Sequence, residues 1–286
     1  MTAPKLDFIS LNHLNAVVDG YDAAFAAFCD VLGAQPLFHN DPDGDLQTGL
    51  LAFGPVIYEF FGPGARQRGY GKLLAQYGPY FHGIEFRVPN LPEAKKVLAN
   101  AGIRLLLDRE FPDHPEGSFI LTHPKDFGGV ALELFEGDWC GEPPPSPFEK
   151  PLFRQPYWSE AHPLGILGLD RICHRVPDVE YAAAAWSDLV HGALDRVVAG
   201  DDGNRRTEHL RFSCGGVAVD LVPMPEGATP AGPIQPGIET VTYRVRSLDQ
   251  VTSWFDAQGI GYAASGPSAV SPDDARTAGL RFEFHQ

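Results

Sequence analysis

Four times along the chain the same pattern returns, and it limits the fold more than any other feature. Each copy has a short strand-like run ending in Val, a polar turn, a helix-length run of Ala, Leu, Val and aromatic residues, and then Gly. The copies are Val18 with Asp19 and Gly33, Val88 with Asn90 and Gly102, Val176 with Asp178 and Gly192, and Val245 with Ser247 and Gly259. Asp, Asn and Ser are natural N-caps because their side-chain oxygens accept from the first-turn N–H groups, and Gly is a natural helix stop. Strand-like runs follow each Gly, among them residues 50–61, 119–135, 210–222 and 280–285. The repeating unit is therefore βαβββ. One such unit leaves a sheet face uncovered, so the expected fold is α+β, with four βαβββ modules in two pairs. Each pair forms a curved-sheet cleft with helices outside.

Between the second and third copies, residues 137–163 carry Pro143, Pro144, Pro145, Pro147, Pro151, Pro156 and Pro163. That composition suits an extended linker. The chain is accordingly divided into residues 1–136, an N-terminal module pair with the candidate site, the linker 137–163, and residues 164–286, a C-terminal pair expected to hold no metal.

Composition narrows the partners. The net charge is −15, from 22 Lys and Arg against 37 Asp and Glu, and the basic residues do not cluster. Such a surface argues against a nucleic-acid or anionic-membrane partner and leaves a small-molecule substrate. The four cysteines, Cys29, Cys140, Cys173 and Cys214, show no CxxC spacing, so neither a disulfide framework nor a zinc–thiolate site is indicated. The opening MTAPKLDFIS lacks the regions of a signal peptide, and no apolar run approaches the roughly 20 residues of a membrane span. A cytoplasmic protein is the expectation.

Within SFILTHPKDFGGVALELFE one acid, Glu133, interrupts an apolar strand. Side chains alternate along a strand, so Val130, Leu132 and Leu134 form one face and Ala131, Glu133 and Phe135 the other. A carboxylate there is a ligand or acid–base group if its face lines a cavity, and a solvated charge if it faces water. The same alternation places His13, Asn15 and Val17 opposite Leu14, Ala16 and Val18, and puts Glu59 with Ile57.

The fourfold repeat, and above all THPKDFGGVALELFE, resembles the vicinal oxygen chelate superfamily, which includes glyoxalases, bleomycin resistance proteins and extradiol dioxygenases. Its N-terminal half looks most like the methylmalonyl-CoA epimerases. The resemblance implies one divalent metal held in the N-terminal cleft by a first-strand His and a last-strand acid from each module. Carried over, His13 and Glu59 come from the first module and Glu133 from the second. Gly83 stands where the second histidine is expected, and His82 beside it shares the helix side with Ile84, Phe86 and Val88. Either Gly83 permits a bulge that re-aims His82, or the site has lost a ligand.

Two imidazoles and two carboxylates would suit Co²⁺, Ni²⁺, Mn²⁺, Zn²⁺ or Fe²⁺ with open positions, and such an ion stabilises an enolate. Glu59 or Glu133 would remove the proton beside a carbonyl. The implied activity is a metal-dependent isomerase, epimerase or lyase. An extradiol-type iron dioxygenase and a non-catalytic small-molecule binding or resistance protein are the alternatives. In the C-terminal pair Arg171 and Thr240 occupy the histidine places, with the acids Asp220 and Glu283, and His174 is on the wrong face. That pair reads as structural, or as a wall of the pocket. Asn15 faces the cleft, while His123 and Lys125 either bind an anionic substrate group at the rim or serve a Pro/Gly turn. A four-module chain can also form a homodimer.

Overall fold

The computed structural model describes residues 4–40, 47–62, 68–109, 118–137, 156–199, 207–214, 216–225 and 237–286. The acid-rich segment DPDGD at 41–45, whose composition reads as a solvated turn, and 138–155 of the proline-rich stretch lie outside them. The four modules are β1 (Ser10–Val17), α1 (Tyr21–Leu32), β2 (Gln35–Asn40), β3 (Gln47–Phe53) and β4 (Val56–Gly62); then, after α2 (Arg68–Tyr77), β5 (Tyr80–Arg87), α3 (Leu91–Asn100), β6 (Leu105–Arg109), β7 (Ser118–Thr122) and β8 (Ala131–Glu136). The third comprises β9 (Ile166–Val176), α4 (Val179–Leu189), β10 (Ala193–Ala199), β11 (Thr207–Cys214) and β12 (Val217–Pro223). The fourth comprises β13 (Gly237–Val245), α5 (Leu248–Gln258), β14 (Tyr262–Gly266), β15 (Ala269–Pro272) and β16 (Phe282–His285). Every module has the strand order first, fourth, third, second. The chain is an α+β protein of four βαβββ modules.

The starts of the four module helices follow the capping chemistry with one exception. Asn90, Asp178 and Ser247 each accept from the N–H three residues on, at 2.8, 2.9 and 3.3 Å. For α1 the expected cap Asp19 is displaced: Gly20 occupies the cap in a left-handed conformation, with no side-chain bond. The stops at Gly33 and Gly259 are left-handed caps, as glycine permits. Helices α3 and α4 end earlier than expected, with Ala101 rather than Gly102 and Val190 rather than Gly192 as their caps.

Two compact units divide the chain. One comprises residues 1–12, 83–138 and 171–239, with most of the second and third modules. Its core stacks Phe8 on Phe86 with ring centroids 4.2 Å apart, and packs Trp186 between Phe127 and Phe212 at 5.9 and 5.7 Å. The N-terminal segment is tied in by Leu6, whose N–H donates to Leu189 and whose carbonyl accepts from His191.

The other unit comprises residues 13–82, 139–170 and 240–286. Its apolar centre is aromatic: Phe28, Phe53, Tyr58, Tyr243, Phe282 and Phe284. Two buried phenols there share a hydrogen bond of 2.6 Å, Tyr58 with Tyr243, and the Tyr243 hydroxyl lies 3.0 Å from the Phe53 carbonyl. Such pairing offsets the cost of burying a hydroxyl. At the described end of the proline-rich stretch, Tyr157–Ala161 forms a π-helical turn with Trp158 wholly buried.

Candidate functional site

Parallel pairing of the first and fourth strands fixes the site. In the first module Asn15 stands opposite Glu59, and His13 opposite Ile57. In the second Glu85 is opposite Glu133, and Gly83 opposite Ala131. The third sets Cys173 against Asp220 with Arg171 two residues earlier, and the fourth sets Thr242 against Glu283 with Thr240 two earlier. The last-strand acid thus recurs in one register through all four modules. The histidine place, two residues before the acid's partner, holds His13, Gly83, Arg171 and Thr240.

Only the first module keeps both groups. His13 is buried on the face opposite Leu14 and Ala16, and its Nε2 lies 3.2 Å from Glu59 Oε2. The other Glu59 oxygen accepts from Thr48 Oγ1 at 3.0 Å. Among the described residues, His13, Glu59 and Glu133 form a group in which each offers one ligand atom, all within 4.8 Å of one another. One imidazole nitrogen and two carboxylate oxygens so close together fit a divalent cation, which would offset two adjacent negative charges and leave further positions open.

His82 is not part of that group. It packs against Tyr70, ring centroids 4.7 Å apart and edge-on, and its Nε2 has no hydrogen-bond partner among the described residues. Burial pushes its pKa down to about 4. The β5–β8 register is unbroken from Gly83 to Arg87, so no bulge there turns the chain.

His123 caps the short 3₁₀ turn Pro124–Phe127, its Nδ1 accepting from the Lys125 N–H at 3.2 Å, and Lys125 is exposed. The turn role is thus filled. His174 is fully buried, with Nε2 3.3 Å from the Gly128 carbonyl oxygen and a pKa brought down to about 4 by burial. In place of an imidazole, Asp220 meets two guanidinium groups. Arg211 donates to both its oxygens at 2.5 and 2.8 Å, and Arg171 Nε lies at 3.6 Å. Such a pairing is that of an ion-pair network.

Three polar residues beside the site escaped the sequence reading: Thr48, Asn12 and Glu85. Glu85 is 2% exposed, and Asn12 Nδ2 donates to its Oε1 at 2.7 Å. Its signal was present in YFHGIEFRV, an acid within an apolar strand on the face that Gly83 shares.

No protein-family model and no curated protein matches the chain. Solved structures do. A mutant of 4-hydroxymandelate synthase from Streptomyces coelicolor matches with a TM-score of 0.69 at 14% identity, over 98% of this chain and 92% of that one. A Mn(II)-bound glyoxalase from Novosphingobium aromaticivorans matches with a TM-score of 0.63 at 12% identity, over 98% and 82%. Methylmalonyl-CoA epimerase from Mycobacterium tuberculosis is 27% identical over 48% of this chain and 93% of its own, with a TM-score of 0.41. The fold is the vicinal oxygen chelate fold, in agreement with the resemblance carried by the repeat.

Proposed function

We propose that this chain is a metal-dependent isomerase, epimerase or lyase acting on a carbonyl-containing small molecule. The observation that carries the reading is the close grouping of His13, Glu59 and Glu133. His13 Nε2 and one oxygen each of Glu59 and Glu133 would hold the ion. When bound, a divalent ion supplies Lewis-acid polarisation of the substrate's carbonyl oxygen and stabilises enolate charge.

The chain's own residues supply the rest. Thr48 holds the far oxygen of Glu59, fixing that carboxylate's orientation. Burial of His13 and Glu133 excludes water, so a charge placed among them is weakly screened. A carboxylate oxygen of Glu59 or Glu133 accepts the proton from the carbon beside the carbonyl and returns it, to the same face or the other. Asn15 is assigned to the substrate, and His123 with Lys125 to an anionic group at the rim. The extradiol reading asks for two histidines and one Glu, whereas the group here has one histidine and two. A binding-only protein would leave the clustered charges without a task.

The described residues contain no helix long and apolar enough to cross a membrane; we place the work of the protein in the cytoplasm, where such a substrate would be met, and allow a homodimer. The test is metal analysis of the purified protein, before and after chelation. One divalent ion per chain is expected, lost on His13→Ala, with a fall of at least about tenfold in affinity for Glu59→Gln. Wild-type protein that takes up no divalent ion under any loading condition would overturn the proposal.

A further inference from the structure

The second module has lost its imidazole, yet its strand β5 does not present an empty face. Gly83 holds the histidine place, and a Cβ built there would stand 3.0 Å from the Ala131 carbonyl oxygen. The backbones of β5 and β8 have closed on the position, so a larger side chain requires them to part. Two residues on, the next side chain of the same face is Glu85, directly opposite Glu133. Both are buried, at 2% and 8% exposure.

Like charges directly opposite on neighbouring strands oppose folding, and a buried carboxylate is costly without compensation. In the first module the corresponding partner of the acid is the neutral Asn15. The second module therefore adds a negative charge at the place where the first has an amide. Asn12 Nδ2 holds Oε1 of that carboxylate, fixing its direction.

We infer that Glu85, opposite Glu133 on the neighbouring strand, acts as an additional buried negative charge beside the site and strengthens binding of the divalent ion held by His13, Glu59 and Glu133. The inference rests on the metal reading above. Glu85 stands outside the close trio, so it acts at the edge of the site, where a charged partner alters metal affinity about 10–100-fold.

The experiment is calorimetric titration of the full-length, metal-free protein with Mn²⁺ alone, wild type against Glu85→Gln. Gln keeps the size and the bond from Asn12 and removes only the charge. The expected result is one Mn²⁺ per chain in both, a Kd raised about 10–100-fold in the variant, and a melting temperature of the metal-free form above that of wild type, since a like charge opposite Glu133 has been removed. A Kd within twofold of wild type overturns the inference while leaving the trio standing. If the Gln variant does not fold, Glu85→Asp serves: a weakened Kd supports the inference and an unchanged one overturns it. Wild-type protein that binds no divalent ion overturns both readings together.

Discussion

Glu59 and Asp220 occupy the same place in their modules and meet different neighbours. Glu59 faces an imidazole and a hydroxyl, from His13 and Thr48; Asp220 is clasped by Arg211 and approached by Arg171. A guanidinium cannot give up its proton to become a ligand, whereas an imidazole can, so the same acid is a candidate ligand in one module and part of an ion pair in the other. His82 makes the complementary point: it is adjacent in sequence to a ligand position, yet it stands outside the group and packs against Tyr70. His82→Phe is expected to leave metal content unchanged, where His13→Phe abolishes it. Elemental analysis of the two variants side by side checks this, and loss of metal in His82→Phe with folding intact would reinstate it as a ligand.

At the scale of elements, caps and turns carried most of the legible information. Asn90, Asp178 and Ser247 could be read as caps because a polar side chain bonding three residues on is a local event. Asp19 could not, since the first helix starts from a left-handed Gly20. Gly33 is bound by more than its own conformation. Its φ is +67°, and a Cβ there would lie 2.5 Å from His162 Nε2, which sits 3.1 Å from the Gly33 carbonyl oxygen. Gly20, at φ +63°, has nothing within 4 Å of that position. Both Gly→Ala changes incur the left-handed penalty of about 1–2 kcal/mol. Gly33→Ala is expected to cost more, because the His162 ring must also move. Urea unfolding of the two variants decides it, and equal losses would show that the ring yields freely.

At the scale of the whole molecule, burial has taken three imidazoles among the described residues, His82, His162 and His174, from an ordinary pKa of 6.5 down to about 4. The unfolded chain takes up protons at these sites as the pH falls below 6.5, while the folded chain stays neutral until about 4. Stability is therefore whole above pH 6.5 and is lost as the pH falls towards 4, by about 1.4 kcal/mol per pH unit for each group. The urea midpoint is expected to drop between pH 7 and pH 5, and His174→Gln to remove roughly a third of that slope. An unchanged slope in the variant would mean that His174 is protonated in the folded state.

Periodicity, capping residues and a recurring strand acid are short-range features, and the sequence alone determined from them the βαβββ repeat, its fourfold count and the places of His13, Glu59 and Glu133. Alternation along a strand also identified His82 and His174 as lying on the helix side, since parity needs no knowledge of the partner strand. What only the tertiary structure decided was which groups face one another across strands. The register that opposes Glu85 to Glu133, the closure of Ala131 on Gly83 and the reach of Asn12 to Glu85 depend on residues 48 to 73 positions apart. Contacts at that separation are set by packing of the whole sheet, and no local pattern encodes them.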